Sequence, residues 1–151
     1  MKKLILSLSA LFISAQTAFA GGLTTTFGEV LVENLPLAKA YSMEKEAKQP
    51  LIIVNTSGQV ITLKIELLAP QEPELKKGFE IIPDVNWIKV NKTEFTVEPG
   101  KSAKTDVIIT VPDDPQYQGK KYQVFIWSHT TGKAVGVGLK SKLLLTVKNQ
   151  E

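Results

Sequence analysis

The chain holds 151 residues, 43% of them hydrophobic and 22% charged, and contains neither cysteine nor arginine. Without cysteine, thiol catalysis, CxxC redox chemistry and cysteine-bound metals are excluded. All basic charge is lysine, so the arginine forks and clustered positive charge of nucleic-acid recognition are missing, and that function class is set aside.

In chain order, the first element is a leader. Met1-Lys2-Lys3 is a short basic start, and Leu4 to Ala15 is an apolar run broken only by Ser7, Ser9 and Ser14. Ala18-Phe19-Ala20 then places small residues at the two positions a signal peptidase reads. Residues 1–20 are therefore expected to be a signal peptide cleaved after Ala20, and residues 21–151 one domain, periplasmic or secreted. The apolar run falls short of the roughly 20 residues that span a bilayer, so no membrane span is expected after cleavage. No cysteine follows the cleavage site, which excludes a lipid-anchored lipoprotein. Loss of Lys2 and Lys3 lowers the formal net charge from +3 to +1. A domain of the remaining length can bury a core without disulfides or metals.

The mature part is dominated by period two. Glu29 to Glu33 is a short strand with Val30 and Val32 on one side. Leu51 to Val54 is a second, and the polar turn Asn55-Thr56-Ser57-Gly58 joins it to Val60–Leu68. There Ile61, Leu63, Ile65 and Leu67 alternate with Thr62, Lys64 and Glu66, the mark of a half-buried strand. Ala69 to Gly78, rich in proline and charge, is a loop. Trp87 to Val90 is a short strand with Trp87 in the core or at an edge, and Phe95 and Val97 point inward from the next. Pro99-Gly100 makes a turn, Val107, Ile109 and Val111 continue inward, and Pro112-Asp113-Asp114-Pro115 ends that strand. Tyr122–Ser128 and Val135–Val147 are the last two strands. Leu35 to Gln49 is an irregular crossover, with one helical turn available at Tyr41–Lys48, that pins the first strand. About seven or eight strands at regular spacing predict an all-β, antiparallel sandwich.

Phe95-Thr96-Val97-Glu98-Pro99-Gly100, Val107 to Pro112 and Gly119-Lys120-Lys121-Tyr122 together resemble the second half of bacterial immunoglobulin-like modules. These include fibronectin type III-like domains and the peptidoglycan-binding domain of WxL-associated surface proteins. The resemblance implies an immunoglobulin-like sandwich with Tyr122 packed as its structural corner between the sheets. The Leu51–Leu68 hairpin also resembles the opening hairpins of those modules and of periplasmic pilus chaperones. Pilus chaperones anchor a client's C-terminus with basic residues that include arginine; no position here supplies one, which argues against that role. No peptidoglycan-binding residue carries over by position.

The remaining polar residues hold the candidate chemistry. His129 is the sole histidine, and Ser128 beside it must point to the opposite face of a strand, so the two cannot pair. A distant serine, with Asp106 or Asp84 to orient the ring, is the remaining hydrolase arrangement. Glu72 with Glu74, Glu94 with Glu98 and Asp113 with Asp114 read as solvated turns and strand faces rather than an acid–base pair. A calcium loop needs more spaced oxygen ligands than Asp113-Asp114 offers, and Gly132, Gly136 and Gly138 precede no helix that would make a phosphate loop. Asn55-Thr56-Ser57 and Asn91-Lys92-Thr93 match the glycosylation pattern by chance. No enzyme activity, cofactor or metal is expected.

One surface stands out. If Tyr122, Val124 and Ile126 point inward, Phe125 and Trp127 face out. With Ile108 and Leu144 on neighbouring strands they would form an apolar patch outside one sheet. That patch is expected either to contact a partner or to be covered by residues 35–49 or the N-terminal strand. The expected partner is another envelope protein; a cell-wall glycan stacked on the aromatics is the alternative.

Overall fold

Alternating side chains sort onto two faces, and stacked sheets are what buries one of them. The computed structural model describes residues 16–132 and 136–149, with the backbone alone for residues 16–20; residues 1–15, 133–135 and 150–151, and with them most of the expected leader and the expected start of the last strand at Val135, lie outside the described residues.

The strands are β1 (Gln16–Ala20), β2 (Leu23–Leu35), β3 (Tyr41–Ser42), β4 (Leu51–Asn55), β5 (Ile61–Leu68), β6 (Glu80–Ile81), β7 (Ile88–Val90), β8 (Glu94–Val97), β9 (Ser102–Thr105), β10 (Val107–Ile109), β11 (Lys121–Thr131) and β12 (Gly138–Val147). One helical turn, α1 (Met43–Ala47), follows β3. Hydrogen bonds link the strands in the order β8-β5-β11-β12-β2-β4-β9, while β3-β10-β7 form a three-stranded sheet. Because β2 changes partners along its length, the path folds back into two layers. One holds β8, β5, β11, β12 and the second half of β2. The other holds the first half of β2, β4, β9 and the three-stranded sheet. The all-β sandwich expected from the alternation, in the immunoglobulin-like form that the resemblance implies, is the observed fold.

The change of layer is written in β2. Leu23, Thr25 and Phe27 are buried before it and Val30 and Val32 after it, so the inward parity flips; a second irregularity at Asn34, φ 57°, turns Leu35 inward again. Thr25 secures the flip: its hydroxyl donates to the Ile52 carbonyl at 2.7 Å and accepts the Phe27 amide at 3.0 Å. Beyond it, Lys142–Val147 pair with Glu29–Leu35 in parallel. Between the layers lies one core, with Ile61, Leu63 and Ile65 of β5 and Val124 and Ile126 of β11 on one side and Val107 and Ile109 of β10 on the other, within a single buried cluster.

Three details differ from expectation. There are more strands than seven or eight, because the strand read through Val107 breaks at Asp106 and short pieces such as β3 and β6 add to the sheets. The sandwich is not wholly antiparallel: β12 pairs with β2, and β6 with β11, in parallel. The crossover 35–49 pins a different strand. Asp106, 7% exposed, accepts hydrogen bonds from the Ser42 hydroxyl and the Glu44 amide, and β3 pairs with β10. A buried carboxylate needs such donors, so the crossover docks onto the β10 layer.

Candidate functional site

The outer face of β11 carries Gln123, Phe125, Trp127 and His129 in sequence, with Lys142 beside Phe125, Lys140 beside Trp127 and Leu144 beside Gln123 on β12. On the other flank, β5 places Leu68 beside Phe125, Glu66 beside Trp127 and Lys64 beside His129. Phe125 and Trp127 thus share the face opposite the core. Ile108 does not join them. It sits in β10 between Ser42 and Lys89, in the other layer, because alternation assigns a face but not a neighbour.

Phe125 and Leu144 are also not free surface, being 6% and 2% exposed. The proline-rich connector between β5 and β6 is fastened to this face at Gln123 and Lys140, whereas the crossover 35–49 docks on the β10 layer. The connector leaves β5 at Leu68, makes a 3-10 turn at Glu72–Glu74 and returns as β6 beside Tyr122 and Gln123. Gln123, fully buried, is its hook: its side-chain carbonyl accepts the Lys76 amide at 2.8 Å and its amide donates to the Glu74 carbonyl at 3.0 Å. Ion pairs hold the rim. Lys140 reaches Glu74 at 2.7 Å and Lys76 reaches Glu29, which Lys142 approaches at 3.5 Å. Lys140 also lies over the Phe125 ring, 4.8 Å from its centroid, a cation–π contact. Hydrogen bonding from Lys76 holds the Glu29 carboxyl below the usual carboxylate range, and the Gln71 amide does the same for Glu74, with Lys140 adding to it.

Past the connector the face opens. Trp127 is half-buried and stacks on His129, ring centroids 3.9 Å apart and planes 23° apart. His129 Nε2 meets a Glu66 carboxylate oxygen at 2.7 Å, and Lys64 reaches the other oxygen at 3.2 Å. The bond to His129 holds the Glu66 carboxyl below its usual range. Gly138 allows the indole its place: a Cβ there would stand 2.6 Å from Trp127 Nε1. Trp127, His129, Thr130, Gly136, Val137 and Gly138 line a shallow recess of about 460 Å³.

Several of the other polar candidates have structural partners. Ser128 faces the core with its hydroxyl buried, while His129 bonds Glu66; Asp106 binds the crossover and Asp84 caps a 3-10 turn at Asn86. Glu74 and Asp114 likewise bond nearby amides. Among the described residues, no three His, Asp or Glu side chains are grouped to hold a metal ion. Tyr122, 4% exposed, meets Trp87 edge-on at 5.4 Å, and Tyr117 meets Trp87 at 4.7 Å, so all three rings close one end of the core. Burial pushes the Tyr122 hydroxyl above its usual value. Sequence reading missed Gln123 and Gly138 as parts of the outer face, and placed Glu66 outward without its partner His129. Of the two missed, only Gln123, polar within an apolar run, left a trace.

No protein-family model matches the chain, and no curated protein is similar to it in sequence. Solved structures are similar in shape. The ASH / PapD-like domain of human CEP192 (PapD-like domain 7) superposes with a TM-score of 0.63 at 10% identity, covering 97% of this chain and 99% of that one. The periplasmic chaperone SfaE gives 0.52 at 11% identity over 86% of this chain and 59% of that one, so the chain spans little more than half of that chaperone's length. A protein of Bacteroides ovatus described as a carbohydrate binding protein gives 0.56 at 11% identity over 81% of this chain and 35% of that one. The narrower resemblance to WxL-associated peptidoglycan-binding domains has no counterpart among these structures. At such identities the likeness establishes the fold alone: an immunoglobulin-like β-sandwich.

Proposed function

We propose that the chain is exported, loses residues 1–20, and acts without catalysis as a binding module that contacts another envelope protein in the periplasm or at the cell surface. The contact surface is the open end of the outer face, at Trp127 and His129. The observation that carries this reading is the contrast along β11, where Phe125 is buried and Trp127, two residues on, is left half-exposed beside a recess. An amphipathic ring at the rim of a recess is an anchor suited to protein contact. Scaffold-level likeness to a periplasmic chaperone is consistent with a protein partner.

Carbohydrate binding is the second reading, favoured by Trp127 itself and by the Bacteroides neighbour. The stacked His129 already occupies one face of the indole, which leaves less platform for a sugar ring and ranks this reading below the first. The two separate by experiment. Co-purification of a defined envelope protein with the exported chain, lost in Trp127→Ala, is the expected result. Retention on a cell-wall glycan resin that disappears in Trp127→Ala, with no protein partner recovered, would transfer the site to carbohydrate. A His129→Ala chain that lost a hydrolytic activity of the wild type would overturn the non-enzymatic reading.

A further inference from the structure

Sheet edges present unpaired amides and carbonyls, and natural edge strands guard them with charge, proline or brevity. Most edges here follow that rule: β8 carries Glu94 and is flanked by Lys92 and Glu98, β9 carries Lys104 beside Lys101, and β7 carries Lys89. The first half of β2 does not. Leu23-Thr24-Thr25-Thr26-Phe27 has no charge and no proline, and its threonines and phenylalanine favour extended pairing. Leu23, Thr24 and Thr25 are paired on both edges, with Asn55, Val54 and Ile53 of β4 and with Ala20, Phe19 and Ala18 of β1. The β1–β2 hairpin turns on Gly21-Gly22, with Gly22 at φ 108°, a two-residue loop of the kind glycine permits. β1 is the tail of the leader, so cleavage after Ala20 strips one edge of an unguarded strand.

We propose that the edge of β2 over Leu23–Thr25 is a strand acceptor, uncovered by leader cleavage and filled by an extended, uncharged segment of another protein running antiparallel to β2. This rests on the reading of the chain as an exported binding module and names the chemistry of its partner. The seated β1 shows the direction and register such a segment takes, and Gln16-Thr17-Ala18-Phe19-Ala20 shows a tolerated composition: no charge, no proline. Main-chain hydrogen bonds supply the attraction in this mode, and alternate side chains supply the selectivity. A charged segment is disfavoured because its side chains would flank the apolar Leu23 and Phe27, both buried.

The test uses the full chain produced with its leader in a secreting bacterium. Intact mass of the exported product reports the cleavage independently. Backbone hydrogen exchange at Leu23–Thr25 is then followed with and without a synthetic peptide of residues 14–20, and with the same peptide carrying Ala18→Pro. The peptide is expected to slow exchange at these amides about tenfold, whereas the proline peptide leaves it unchanged. In Thr26→Lys, an exposed position, the slowing should vanish with the melting temperature unaltered. A product that begins at Gly21 and whose β2 amides ignore the peptide, or are already protected without it, overturns the acceptor. A product that keeps residues 16–20 overturns the export reading and with it the vacant edge, and the mass distinguishes the two failures.

Discussion

Asn55 shows how much a single turn residue can organise. It is fully buried, donates through its side-chain amide to the carbonyls of Gln59 at 2.7 Å and Val97 at 3.0 Å, and accepts from the amide and hydroxyl of Ser57. Its backbone bonds Lys101 and Gly100 as well, so two turns at one end of the sandwich hang from it. Asn55→Ala leaves those groups buried and unpaired, a loss of about 2–4 kcal/mol in urea unfolding. Tyr122→Ala empties the ring cluster with Trp87 and Tyr117 and should cost about 3–5 kcal/mol in the same assay; an unchanged midpoint would mean the ring is not packed there. The inward positions Tyr122, Val124 and Ile126 were legible from alternation alone, since each is buried. Asn55 read only as a turn residue, because its partners at Val97 and Lys101 lie more than forty residues downstream and no local pattern encodes them.

The connector fastened at Gln123 is an element with its own electrostatics. Glu29 and Glu74 each have a carboxyl pKa held below the ordinary 4.5. A depressed carboxylate favours the folded form above its unfolded pKa, and that contribution fades as pH falls through the folded value. Exchange at residues 71–76, corrected for intrinsic rates, should therefore accelerate once pH drops below 4.5, with β11 and β12 still protected. Gln123→Ala removes the hook and strands the Lys76 amide and Glu74 carbonyl, a cost of about 1–3 kcal/mol. The same variant should open the connector at neutral pH. The sequence marked 69–78 as a loop from its prolines and charges, and that was right locally. Its destination could not be read, since it depends on Gln123 meeting Lys76 across 47 positions.

At the scale of the whole molecule, alternation was enough to set the layers, and the buried row Ile61, Leu63, Ile65 follows it. It could not set strand order, which is why Ile108 was grouped with Phe125 although β10 lies between β3 and β7 in the opposite layer. Nor could it show β2 serving both layers, a consequence of the parity flip after Phe27. This architecture leaves Phe125 and Leu144 buried on the outer face and Trp127 half-exposed. Photo-crosslinking in the producing cell tests that contrast directly. A photoreactive phenylalanine analogue in place of Trp127 is expected to yield a discrete covalent adduct with another envelope protein, and the same analogue in place of Ile108 to yield none. An adduct from position 108 alone, or none from position 127, would contradict the account.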